Sequence, residues 1–64
     1  MLADEIIREK IRDEVYSETG KKVRNIFYVT SGTDGRSVYA IVGNNNKIFG
    51  VAMVDVALGV EVII

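Results

Sequence analysis

The chain has no cysteine, no histidine, no proline and no tryptophan in its 64 residues. Each absence removes something. Without Cys there is no disulfide and no thiolate metal site, and without His there is no imidazole ligand or imidazole base. Ser-His-Asp and Cys-His arrangements are therefore excluded, and a metal would find only carboxylates. Without Pro there is no N-terminal proline base and no slow X-Pro isomerisation on folding. A domain this short buries only about 60% of the surface its unfolded chain exposes, and its core rarely supplies more than about 3–5 kcal/mol. The usual staples of such small scaffolds are the ones missing. What is present instead is a 48% hydrophobic composition. These exclusions lead us to expect a non-catalytic chain with no cofactor and no metal.

Charge is nearly balanced overall, with eight basic and nine acidic residues and a net of −1, but it is unevenly placed. Residues 1–19 hold six acids and three bases; residues 20–64 hold five bases and three acids. The five bases are Lys21, Lys22, Arg24, Arg36 and Lys47. The start Met1-Leu2-Ala3-Asp4-Glu5 has acids where a secretion signal needs basic residues followed by an apolar run. No such signal is expected, and the compartment stays open, cytoplasmic by default.

Residues 3–19 are expected to form one helix. Ala3, Ile6, Ile7, Ile11 and Val15 recur at three- and four-residue steps, forming one amphipathic stripe among charged helix formers. Asp4 is expected as the N-cap, Asp4 and Arg8 as a pair four apart, and Gly20 as the left-handed residue after the helix. Lys10 and Glu14 fall within the apolar arc, where they are expected to snorkel at its edge or pair with each other. After Gly20 the period changes to two. Strands are expected at 23–31, 37–43, 47–56 and 60–64, separated by turns at Asp34-Gly35, Asn44-Asn45-Asn46 and Ala57-Leu58-Gly59. The fold class is therefore α+β: a single domain of one N-terminal helix packed on a four-stranded antiparallel meander.

Two-residue turns at Asp34-Gly35 and Asn45-Asn46 set testable registers. Phe27 faces Val42, Val29 faces Ala40 and Ser31 faces Val38; Val42 then faces Phe49, Ala40 faces Val51 and Val38 faces Met53. All share one face, which we expect the helix to cover. A two-residue turn at Ala57-Leu58 adds Val60, Val62 and Ile64 to that face, whereas a longer turn flips the last strand. The opposite face would carry Ile26, Tyr28, Thr30, Tyr39, Ile41, Ile48, Ala52, Val54 and Ile63, with Gly50 among them. An antiparallel sheet with one free face normally shows polar residues there. A helix of about sixteen residues, about 24 Å long, covers one face only. The second face is therefore expected to be an interface, with Ile26, Tyr28, Tyr39, Ile41 and Val54 as its candidate residues. The expected partner is a second copy, giving a dimer, or a larger protein.

Other motifs have plainer readings. Residues 48–64 are apolar but short for a membrane span, and Asp55 and Glu61 would each cost about 2.5–3.5 kcal/mol near a bilayer centre. Ser31–Ser37 is Gly-containing, but it opens no helix and lacks the Gly-Lys-Ser/Thr ending of a phosphate loop, so it reads as a hairpin turn. Lys47-Ile48-Phe49-Gly50-Val51 has a faint likeness to an RNA-binding strand pattern. It supports the alternative reading: a small nucleic-acid binder using Lys21, Lys22, Arg24, Arg36 and Lys47. Asp34, Asp55 and Glu61 show no metal-ligand spacing.

The helix, the hairpin return Asp34-Gly35-Arg36-Ser37-Val38-Tyr39-Ala40-Ile41 and the closing run Val54-Asp55-Val56-Ala57-Leu58-Gly59-Val60-Glu61-Val62-Ile63 together resemble a PepSY-type domain. Leu58 stands where that family's closing motif usually has Thr. The resemblance implies a non-catalytic module that modulates peptidases or shields other domains, outside the cytoplasm or beside membranes. It carries over no functional residue, since the matched positions are turn and core positions.

Overall fold

The computed structural model describes residues 2–32, 34–57 and 59–64, with helical side chains described from Asp4 onward. Helix α1 (Leu2–Thr19) precedes strands β1 (Asn25–Ser31), β2 (Ser37–Val42), β3 (Ile48–Val54) and β4 (Val60–Ile63). The strands form one antiparallel sheet in the order β1-β2-β3-β4, so the fold is the expected α+β meander. The strands are shorter than expected, mainly because the turns between them are wider.

The helix begins before Asp4, which therefore lies in the first turn and is not the N-cap. There its carboxylate accepts a hydrogen bond from Arg8 Nε at 2.9 Å, the pair expected at this spacing. An acid in the first turn also complements the positive end of the helix dipole. Gly20 ends the helix with a φ of 72°, and its N–H donates to the Tyr16 carbonyl at 2.8 Å. A side chain at that φ would be strained, which is why glycine suits the position. Of the apolar stripe, Ile11 and Val15 are fully buried and Ile7 packs against the core, while Ile6 lies at its edge, 45% exposed. Ala3 and Leu58, named above in the stripe and the last turn, lie outside the described side chains. Lys10 is exposed and Glu14 half-buried beside Val60, with no ion pair between them among the described residues.

The first two hairpins close by one device. The Gly32 N–H donates to the Arg36 carbonyl at 2.6 Å and the Gly35 N–H to the Gly32 carbonyl at 3.3 Å. In the second, the Gly43 N–H donates to the Lys47 carbonyl and the Asn46 N–H to the Gly43 carbonyl, both at 3.0 Å. Gly35 (φ 84°) and Asn46 (φ 62°) supply the left-handed residue that ends each loop. Asp34 Oδ1 and Asn45 Oδ1 accept the N–H of Arg36 and Lys47, two residues on. Each loop is thus one residue wider than a two-residue turn, the common alternative when the last loop residue is left-handed.

These wider turns change the registers. The wider first turn places Ser31 opposite Ser37, not Val38, and a bulge between Tyr28 and Thr30 then sets Phe27 opposite Ala40, not Val42. Ala40 with Val51 and Val38 with Met53 stand as expected. A second irregularity pairs Val42 with Ile48 and leaves Phe49 out of the ladder, so the expected Val42–Phe49 pair does not form. The last turn is also longer than two residues. The Asp55 N–H donates to the Gly59 carbonyl at 3.0 Å, and Asp55 Oδ1 accepts the N–H groups of Ala57 and Gly59, both at 2.9 Å. The carboxylate organises a broad loop, so β4 is flipped relative to the short-turn register, with Val54 opposite Val60 and Ala52 opposite Val62.

The core sits on the face opposite to the one expected. Ile11 and Val15 of α1 cluster with Ile26, Tyr39, Ile41, Ala52 and Val54, and Val23, Phe49, Val60 and Val62 pack around them. The helix approaches β4 most closely, and Arg8 Nη1 donates to the Ile26 carbonyl on β1. Ala52, fully buried on this face of β3, clusters with Ile11 and Val15 of the helix, whereas it is the end of β4 that passes close to Gly50. The bulge and the long last turn then send Phe49, Val60 and Val62 to the same side.

Candidate functional site

Four of the five expected interface residues are not at a surface. Ile26 and Ile41 are fully buried, Val54 is 3% exposed and Tyr39 5% exposed, all beneath α1. Tyr28 lies on the same side of the sheet, but on the edge strand β1, and stays exposed. Its ring meets Tyr39 edge-on at 5.6 Å. Its hydroxyl shares a 2.5 Å hydrogen bond with the Ser31 hydroxyl, which in turn lies 3.3 Å from that of Ser37. It closes the rim of the core. Alternation along the strands keeps Ile26, Tyr39, Ile41, Ala52 and Val54 apart from Phe27, Ala40, Val51 and Met53. The ladder irregularities and the long last turn move Thr30, Ile48 and Ile63 to the second set and Phe49, Val60 and Val62 to the first, and alternation carries no information about which set the helix covers.

The open face is therefore the other set. Paired residues build it as three rows across the sheet. The middle row runs Phe27–Ala40–Val51–Ile63 through all four strands. Beside it run Asn25–Val42–Ile48 on one side and Thr30–Val38–Met53–Glu61 on the other. Apart from Asn25, Thr30 and Glu61 at the sheet edges, every member is apolar. Phe27 is 52% exposed, Ile48 65% and Ile63 48%. Ala40 and Val42 are buried between their taller neighbours. Val29, at the bulge of β1, is also exposed.

Charge is sorted to the two ends of this sheet. Lys21, Lys22 and Arg24 lead into β1, and Lys47 closes the β2–β3 turn at the same end. Lys21 and Lys22 border a cleft of about 580 Å³ with Asn44, Asn45 and Phe49, and the Lys21 ammonium lies 5.7 Å from the Phe49 ring centroid. Glu18, in the last turn of α1, is the nearest acid in sequence. Asp34, Asp55 and Glu61 sit at the opposite end, and Arg36 is there with them, 3.7 Å from Asp34. The five bases of the nucleic-acid alternative thus divide four to one, and Arg36 is separated from the rest by the length of the strands. Among the described residues, no group of three or more acids is placed to hold a metal ion, and no helix is long and apolar enough to cross a membrane.

Tyr39 sits in the core beneath the helix. Burial raises the Tyr39 hydroxyl above the ordinary tyrosine value, with Asp4 adding to the rise, Arg8 opposing it and Tyr28 adding slightly. A raised folded-state pKa means that the native state holds this proton more tightly than the unfolded chain. Its contribution to stability is complete below the unfolded value of about 10 and is lost as pH rises through the folded value. Unfolding midpoints in urea should therefore fall above about pH 10, and Tyr39→Phe should flatten that fall. An unchanged alkaline slope in Tyr39→Phe would remove the assignment.

No protein-family model, no curated protein and no solved structure matches this chain.

Proposed function

We propose that the chain is a non-catalytic interaction module that binds a protein surface through the open face of its sheet. The observation that carries this reading is the apolar character of three successive cross-strand rows on the side the helix leaves uncovered. An antiparallel sheet that faces water on one side normally alternates to polar residues there, and contiguous apolar patches above a few hundred Å² are uncommon on monomers. The residues assigned to contact are Phe27, Ile48, Val51, Met53 and Ile63. Phe27 is suited to anchor the contact, since an aromatic ring supplies area with little entropy lost. The PepSY-type resemblance adds a class of partner for the same face, a peptidase whose activity the module would modulate.

The test is photo-crosslinking in the cells that produce the chain, with p-benzoylphenylalanine at position 48 and, as control, at position 9 on the exposed side of α1. A discrete protein adduct is expected from position 48 only. Equal or absent labelling at the two positions would remove the reading.

A further inference from the structure

We infer that the occupant of the open face is a second copy of this chain, packed face to face with its strands running antiparallel to the first. The inference rests on the open-face reading above and adds the partner and its orientation. Two observations carry it. The first is the sorting of charge. One end of the sheet carries Lys21, Lys22, Arg24 and Lys47, and the other carries Asp34, Asp55 and Glu61 with Arg36. A two-fold axis lying between the sheets and perpendicular to the strands sets the basic end of each copy over the acidic end of the other. The complementarity occurs twice, as an isologous interface requires.

The second observation is the area and arrangement of the apolar rows. Four strands about 4.8 Å apart and some five residues long make a plane of roughly 350 Å². Two copies packed on this plane form a small interface, of the size class of weak or transient association. Under the same two-fold, the row Phe27–Ala40–Val51–Ile63 lies along the axis and meets itself. Val42 and Ile48 of one copy then lie over Val38 and Met53 of the other, so apolar rows cover apolar rows. The product is four layers, helix–sheet–sheet–helix, with both sheet faces buried and the sheets about 10 Å apart.

Sedimentation of the purified full chain tests this. A dimer is expected at tens of micromolar, and its dissociation constant should rise severalfold between 50 and 500 mM NaCl. Val51→Lys places two ammonium groups together at the axis and should give a monomer with unchanged helical circular dichroism. Lys47→Glu should weaken the dimer by about fivefold, and adding Glu61→Lys should restore it, because each restored pair spans the two copies. A monomer at 500 µM, a Val51→Lys variant that stays dimeric, or a double variant no tighter than the single would overturn the inference. The crosslinking adduct at position 48 separates the two claims. An adduct to a different protein, with a monomer in solution, removes the second copy and leaves the open-face reading. A monomer with no adduct removes both.

Discussion

Replacing Ile41 by Ala is expected to leave most of the protein unfolded at room temperature. Ile41 is fully buried on the central strand β2, within the cluster that Ile11 and Val15 of the helix complete. Truncating a buried isoleucine costs about 2–5 kcal/mol, the lost transfer energy plus a cavity that the surroundings only partly fill. The whole stability of a domain this small is about 3–5 kcal/mol. One substitution can therefore consume most of it, and the ellipticity at 222 nm should fall towards that of the unfolded chain. Ile48→Ala is the matched control. Its side chain is 65% exposed on the other face of the sheet, so its cost in a dilute sample should stay within about 0.5 kcal/mol. The pair also tests the face assignment. A loss below about 1 kcal/mol at Ile41, or a larger loss at Ile48 than at Ile41, would put the helix on the other side.

Gly50→Ala should destabilise by about 1–3 kcal/mol through overpacking, although it adds one methyl group. A Cβ at Gly50 would lie 2.8 Å from the Ile63 carbonyl oxygen, 3.0 Å from Ile64 Cγ1 and 3.4 Å from Ile64 Cα. Two of these three atoms belong to the backbone, which cannot rotate away. The end of β4 would have to move, and it pairs with β3 at Val51–Ile63 close by. Urea denaturation should show a lower midpoint, and hydrogen exchange should rise first at the end of β4. Gly20→Asn is the contrast. Nothing lies within 4 Å of a Cβ at Gly20, and asparagine accepts its φ of 72° better than most residues. Equal stability of Gly50→Ala and the native chain would mean that β3 and β4 are farther apart at this point.

The face that the helix covers is not legible in the alternation, for a physical reason. Ile26, Tyr39, Ile41 and Val54 alternate with Phe27, Ala40, Val42 and Met53, and both sets are apolar. A period of two separates the sets without ranking them. Gly50 marks a close approach of another backbone, which here is the end of β4 and not the helix. The positions of the turns are legible in the sequence, but their widths are not. Asp34-Gly35 and Asn45-Asn46 suit two-residue loops, and the same residues also serve the three-residue form used here. The long last loop depends on Asp55 Oδ1 accepting two backbone N–H groups, a choice that a single acid in a turn does not announce.

What the sequence determined by itself is the α+β class, the order and approximate extent of the five elements, the Gly20 helix end, the Asp4–Arg8 pair and the existence of two apolar sheet faces. These follow from interactions between residues close in the chain: periodicity, turn chemistry and capping. Tertiary structure alone decided which face the helix covers and where the ladder slips at Phe49. Those outcomes depend on volume and reach between segments far apart in the chain. They are also the features that turn a fold into a surface, because the uncovered face and its charged ends are what another molecule meets.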